Sequence, residues 1–208
     1  MTISDEVKPI LHEAAEWRLI GLLFECPTPQ WSGEVAAISR ELEDPLLRQA
    51  SEEALCEATE GLYHSTFGPG GPAPPREASY HDTVQLGYLI SELESYYNAF
   101  AYRPACGEPA DHIATEAGFI AYLKLKQAFA LSEQKQECAA IVSDAAAHFL
   151  KEHLAMIAEP LAASLAASGV EYLHHASDAL YRRTGRGPAL PVLQDPLVSS
   201  DDCMECGV

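Results

Sequence analysis

Residues 96–125 read YYNAFAYRPACGEPADHIATEAGFIAYLKL, and this stretch decides the fold. It opens with the end of an aromatic-rich segment: Tyr96, Tyr97, Phe100 and Tyr102. A turn comes next, over 103–110, marked by Pro104, Gly107 and Pro109. Proline is tolerated at or before the first turn of a helix but not inside it, so the next helix starts just after Pro109. Asp111 stands where a carboxylate caps free N–H groups or complements the positive helix end. His112, Glu116, Phe119 and Leu123 then recur at helical spacing and share one face. A polar pair leading an apolar stripe, directly after a turn, is placed to line the mouth of a groove.

Working outward, the same periodicity recurs along the chain. Helices are predicted over 4–24, with Ser4 as cap, and over 32–42, 45–66, 82–102, 111–131 and 170–184. One long helical region covers 133–167, with a break expected near Glu159-Pro160. Asp82 or Thr83 is the expected cap of the helix over 82–102. In the first helix Val7, Leu11, Ala14, Trp17 and Gly21 trace one stripe. Leu55, Leu62 and Phe67 are expected in the core. No strand pattern and no internal repeat interrupts the helices. The fold class is therefore all-α, a single-domain bundle of about eight helices over residues 1–188. The segment 189–208 lacks periodicity and reads as an extended or disordered tail.

Residues 67–79, FGPGGPAPPREAS, hold four prolines and three glycines, a composition that excludes regular helix or sheet. Two readings stay open for it: a flexible surface connection, or a mobile flap over a peptide groove.

Composition narrows the function classes. A chain of 208 residues, 48% hydrophobic and 21% charged, is an ordinary globular domain. Its net charge of −18 disfavours nucleic acid, which needs a basic surface to displace counterions. An acidic surface suits a basic peptide, although many proteins are acidic for solubility alone. The N-terminus MTISDEVKPI has neither a positive leader region nor an apolar run behind it, and no segment is apolar enough to span a membrane. The expected location is the cytoplasm, with no direct membrane insertion. Six cysteines are too sparse for a disulfide framework, and Cys26, Cys56 and Cys138 read as small buried hydrophobes.

Catalytic and metal motifs are weak. His112 and Glu116 are four apart, but two ligands do not make a metal site. The run His148, Glu152, His153 is one residue out of register with the zinc-protease patterns and reads as chance on a partly exposed helix. His174 and His175 are adjacent and point to different helix faces. Cys203 and Cys206 form a C-x-x-C at the end of the tail, without a second ligand pair. Neither a phosphate-binding loop nor a G-x-S-x-G nucleophile occurs. No cofactor, no metal and no enzyme activity is expected.

GEPADHIATEAGFIAYL resembles the signature of the TorD/DmsD family, cytoplasmic maturation chaperones of molybdenum enzymes. Glu108, Pro109, Asp111, His112, Glu116 and Phe119 match its pattern, while Ala117 and Ile120 depart from it. Residues 149–154, FLKEHL, are similar to the family's second segment, F-x-x-x-H-L. The resemblance implies a chaperone that binds the twin-arginine signal peptide and the apo catalytic subunit of a molybdenum oxidoreductase. It would assist cofactor insertion and hold back export, as a monomer or a domain-exchanged dimer. Asp111 would be the anionic contact and His112 its hydrogen-bonding partner. Glu108 is a second anion, Pro109 and Glu116 complete the motif, and Tyr96 is a groove wall. A NarJ-like chaperone of a membrane-associated nitrate reductase is the alternative within the family. A small metal-binding protein using Cys203 and Cys206 is the alternative outside it.

Overall fold

The computed structural model describes residues 4–81 and 86–185. Its axis is α6 (Ile113–Ser132), the helix that the signature opens. Every residue from 113 to 121 is buried, so this end of α6 is apolar on nearly all sides and must be covered on all sides. On one side lies α1 (Val7–Leu23). Gly21 makes the close approach possible, because a Cβ there would sit 3.2 Å from the Ala114 carbonyl oxygen of α6. On the other side lies α7 (Gln136–Phe149).

The remaining helices complete the bundle. These are α2 (Trp31–Ser39), α3 (Pro45–Glu57), α4 (Glu60–Phe67), α5 (Leu86–Ala99), α8 (Ala155–Ala166) and α9 (Glu171–Thr184). A 3-10 turn spans Glu77–Tyr80, and a π turn, Leu150–Leu154, joins α7 to α8 in one continuous rod. The described residues thus form about eight helical rods and no strand, as the periodicity predicts. α9 packs on α3 and α8 and closes the bundle. An aromatic cluster fills the space between α5, α6 and α7: Tyr97, Tyr102 and Phe149 all pack around the Phe119 ring, at centroid distances of 4.9, 5.3 and 4.8 Å.

Several element boundaries differ from expectation, each for a physical reason. The segment 45–66 is two helices, because Ala58 and Thr59 are extended and the Thr59 hydroxyl accepts from Leu62 N to start α4. The irregularity expected at Pro160 falls instead at the π turn, and Pro160 lies inside α8. The helix expected over 82–102 ends at Ala99, since Ala101 takes a left-handed conformation (φ 56°) that turns Tyr102 back onto Phe119. Its expected cap, Asp82 or Thr83, lies outside the described residues, as do the tail and its Cys203 and Cys206.

Some expected core residues are displaced too. Leu55 is exposed, because α3 buries Leu47, Ala50, Ser51 and Ala54, a face one residue away. Cys56 and Cys138 are also exposed, and Cys26 only partly buried, so they are not the buried hydrophobes expected. No helix among the described residues is long and apolar enough to cross a membrane.

Candidate functional site: the signature turn and its buried polar cluster

His112, rather than Asp111, is the N-cap of α6. Its ring Nδ1 accepts from Ala114 N at 3.1 Å. That bond fixes the tautomer: Nδ1 is the acceptor, so Nε2 carries the proton in the neutral ring. Nε2 lies 3.2 Å from the Tyr63 hydroxyl, which donates at 2.8 Å to Glu108 Oε1. The result is a directional chain from His112 through Tyr63 to the carboxylate of Glu108. It ties α4 to the turn. Burial pushes the His112 pKa down from 6.5 to about 4, against the opposing pull of Glu108 and Asp111, so the ring is neutral near pH 7.

With the cap taken by His112, the Asp111 side chain turns elsewhere. It is fully buried and grips the Arg76 guanidinium with both oxygens: Nη2 to Oδ1 at 2.7 Å, Nε to Oδ1 at 2.9 Å and Nε to Oδ2 at 3.1 Å. Arg76 belongs to the proline-rich stretch, which is therefore fastened to the signature turn. Two backbone bonds add to the fastening. Glu77 N donates to Asp111 O at 2.8 Å, and Ile113 N donates to Pro75 O at 3.0 Å. An isolated antiparallel bridge pairs Arg76 with His112. The stretch expected to be irregular throughout thus makes one bridge and, at Glu77–Tyr80, one helical turn.

Glu77 carries the arrangement deeper. It is buried, and its carboxylate accepts from His81 Nε2 at 2.9 Å and His153 Nδ1 at 3.1 Å. His153 sits on the π turn and is buried, which corrects its reading as part of a partly exposed helix. A π turn often marks a functional site because the extra residue re-aims side chains; here it brings His153 inward. His148, on the last turn of α7, bonds the Tyr96 hydroxyl near the surface at 2.5 Å. Tyr96 is partly buried, with its ring edge-on to Phe149 and His153 at 5.3 and 5.7 Å.

Glu116 completes the cluster. It is fully buried, and neither carboxylate oxygen has a hydrogen-bond partner among the described residues. Burial first, then the charges of Glu77 and Asp111, raise its pKa well above the usual carboxylate range. His153 Nε2 is likewise buried without a partner among the described residues. No group of three or more His, Cys, Asp or Glu among the described residues is placed to hold a metal ion.

Beside the turn opens a cleft of about 520 Å³ between the end of α1, the start of α2 and residues 105–108. Glu25, Glu34 and Glu108 line it together with Arg18, Leu22 and Trp31. Arg18 bonds Glu25 at 2.6 Å and Glu34 at 3.1 Å, leaving the cleft acidic on balance. Pro109 is exposed, and its carbonyl accepts from His112 N to close the turn. A larger hollow of about 680 Å³ lies at the far end of α6, around Leu125 and Phe129, and holds no signature residue.

The structure therefore brings Glu108, Pro109, Asp111, His112 and Glu116 to one end of α6, and sets Tyr96 against the same cluster through His153. Sequence reading missed Tyr63, Arg76, Glu77 and His81, which reach the turn from distant positions in the chain. It also missed the role of His153, although the match of FLKEHL to the second segment was its signal. His174 and His175 serve separate pairings with Asp178 and Glu53, and their rings stack.

The described residues thus define an all-helical protein whose signature turn is locked by a buried polar cluster beside an acidic cleft. Its family is that of the nitrate reductase delta subunit, whose model matches residues 28–163, and the chain belongs to it. This family comprises maturation chaperones of molybdenum enzymes, of the NarJ and TorD type, in agreement with the resemblance carried by the signature. No curated protein matches the chain.

Proposed function

We propose that this protein is a cytoplasmic chaperone that binds the twin-arginine leader and the apo catalytic subunit of a molybdenum oxidoreductase, and withholds the subunit from export until its cofactor is inserted. The observation that carries this reading is the acidic cleft beside the signature turn. Such a leader is basic first and apolar second. Glu25, Glu34 and Glu108 outnumber Arg18 and suit the basic end. Glu108 is held in place by Tyr63, so it meets a cation preorganised. Asp111 is the second anion, further along the same turn.

The family's description also favours a nitrate reductase catalytic subunit as client. Calorimetric titration of a synthetic twin-arginine leader, beside the N-terminal peptide of a nitrate reductase catalytic subunit, separates the two clients. Glu108→Gln is expected to weaken the bound peptide by about one decade, the worth of a charge-assisted hydrogen bond. Unchanged affinity in Glu108→Gln would take the cleft out of the site.

A further inference from the structure

The carboxylate expected to meet a client arginine already holds an arginine of this chain. Asp111 is fully buried, whereas the Arg76 side chain that covers it is 39% exposed. The guanidinium reaches the carboxylate from the surface and stands in the approach to it. Its two-pronged geometry is the general one by which any arginine recognises a carboxylate, so a second guanidinium would fit the same oxygens equally well.

We propose that Arg76 is a built-in competitor: residues 68–80 form a strap that seats Arg76 on Asp111 in the free protein, and a client arginine takes Asp111 when the strap leaves. This rests on the leader-binding reading. Two features of the strap and one of the cluster behind it fit an exchange. Residues 68–75 are three glycines, four prolines and one alanine, and proline has no N–H to donate, so few backbone bonds fasten the strap to the body. Among the described residues, the backbone bonds between strap and signature turn cluster at its edge: Glu77 N to Asp111 O, Ile113 N to Pro75 O, and a long one of 3.4 Å from Ala78 N to Asp111 Oδ2, which a client guanidinium would replace together with Arg76. Beside Glu77, the cluster keeps unused capacity, since both oxygens of Glu116 lack a partner among the described residues. A client guanidinium brings five N–H donors where Arg76 spends its own on Asp111 alone.

The test is a titration of a synthetic twin-arginine leader against the full chain and against Arg76→Gln. A competitor that keeps the site closed about nine-tenths of the time lowers the apparent affinity about tenfold, so Arg76→Gln is expected to bind about tenfold tighter. A leader with both arginines changed to lysine should gain much less. If the unaltered protein binds the leader and Arg76→Gln binds it equally or more weakly, Arg76 is a structural pin; that result overturns the inference while leaving the leader reading intact. Absence of binding to both proteins overturns the leader reading itself. Should Arg76→Gln fail to fold, amide exchange on the unaltered protein decides. Leader binding is expected to speed exchange at Glu77 and Ile113, and slower or unchanged exchange there sinks the competitor.

Discussion

A histidine that caps a helix through Nδ1 and donates through Nε2 is useful only while neutral. Protonation would remove the acceptor that satisfies Ala114 N and place a charge in a buried site. The folded pKa of about 4 lies below the unfolded value of 6.5. Between these values the unfolded chain binds the proton and the folded chain does not, so stability falls as pH drops from 6.5 towards 4. Complete linkage across that interval amounts to about 3 kcal/mol. His112→Asn keeps a capping oxygen but does not titrate. Its unfolding free energy is expected to lack this slope, measured as the difference from the unaltered protein by denaturant titration at pH 4.5, 5.5 and 6.5. A parallel pair of curves would mean that His112 is protonated in the fold. Glu116 behaves in the opposite sense. Its raised folded pKa means that the folded chain keeps a proton the unfolded chain loses, so its contribution is full below the ordinary carboxylate range and is lost as pH rises. Glu116→Gln is a neutral near-isostere. Relative to the unaltered protein it should gain stability as pH rises from about 4.5 to 7. A constant difference over that range would show that Glu116 is ionised and paired.

At the scale of elements, the crossings of α6 with its neighbours depend on two glycines. A Cβ on Gly118 would stand 2.7 Å from the Tyr102 hydroxyl, which donates to the Thr115 carbonyl and whose ring is wedged against Tyr97, Phe119 and Tyr122. The ring has little room to retreat. Gly118→Ala is expected to cost about 1–3 kcal/mol by overpacking, even though alanine favours helix. Tyr102→Phe removes the clashing oxygen, so the double variant should be more stable than the two single costs added together suggest. Strict additivity in thermal unfolding would show that the crossing relaxes in another way. Helix identity was legible at this scale because periodicity reports which face is buried. The α3–α4 break was written in Thr59, a cap residue, but was obscured by apolar residues continuing on both sides of it. The displacement of irregularity from Pro160 to the π turn was not legible, since the demand that creates it is tertiary: a buried Glu77, 76 positions away, needs His153 as a partner.

At the scale of the whole molecule, the same distinction separates what the signature revealed from what it hid. The motif placed Glu108, Asp111, His112 and Glu116 together because they are neighbours in sequence on one turn and one helix. It did not show that Arg76 covers Asp111, because ion pairing across a loop leaves no periodic trace. Charge, by contrast, is legible from composition alone, and −18 spread over one domain creates a field that reaches beyond any single contact. Surface fields decay over about 10 Å in 0.1 M salt and about 3 Å in 1 M salt. A leader drawn to the acidic cleft from solution should therefore bind at least about tenfold more weakly in 1 M than in 0.1 M sodium chloride, chiefly through slower association. The apolar part of the contact is spared, since burial of apolar surface is not screened by salt. Stopped-flow association and dissociation of a fluorescent leader peptide at both salt concentrations separate the two parts. An association rate that does not change with salt would make the acidic surface incidental to recognition.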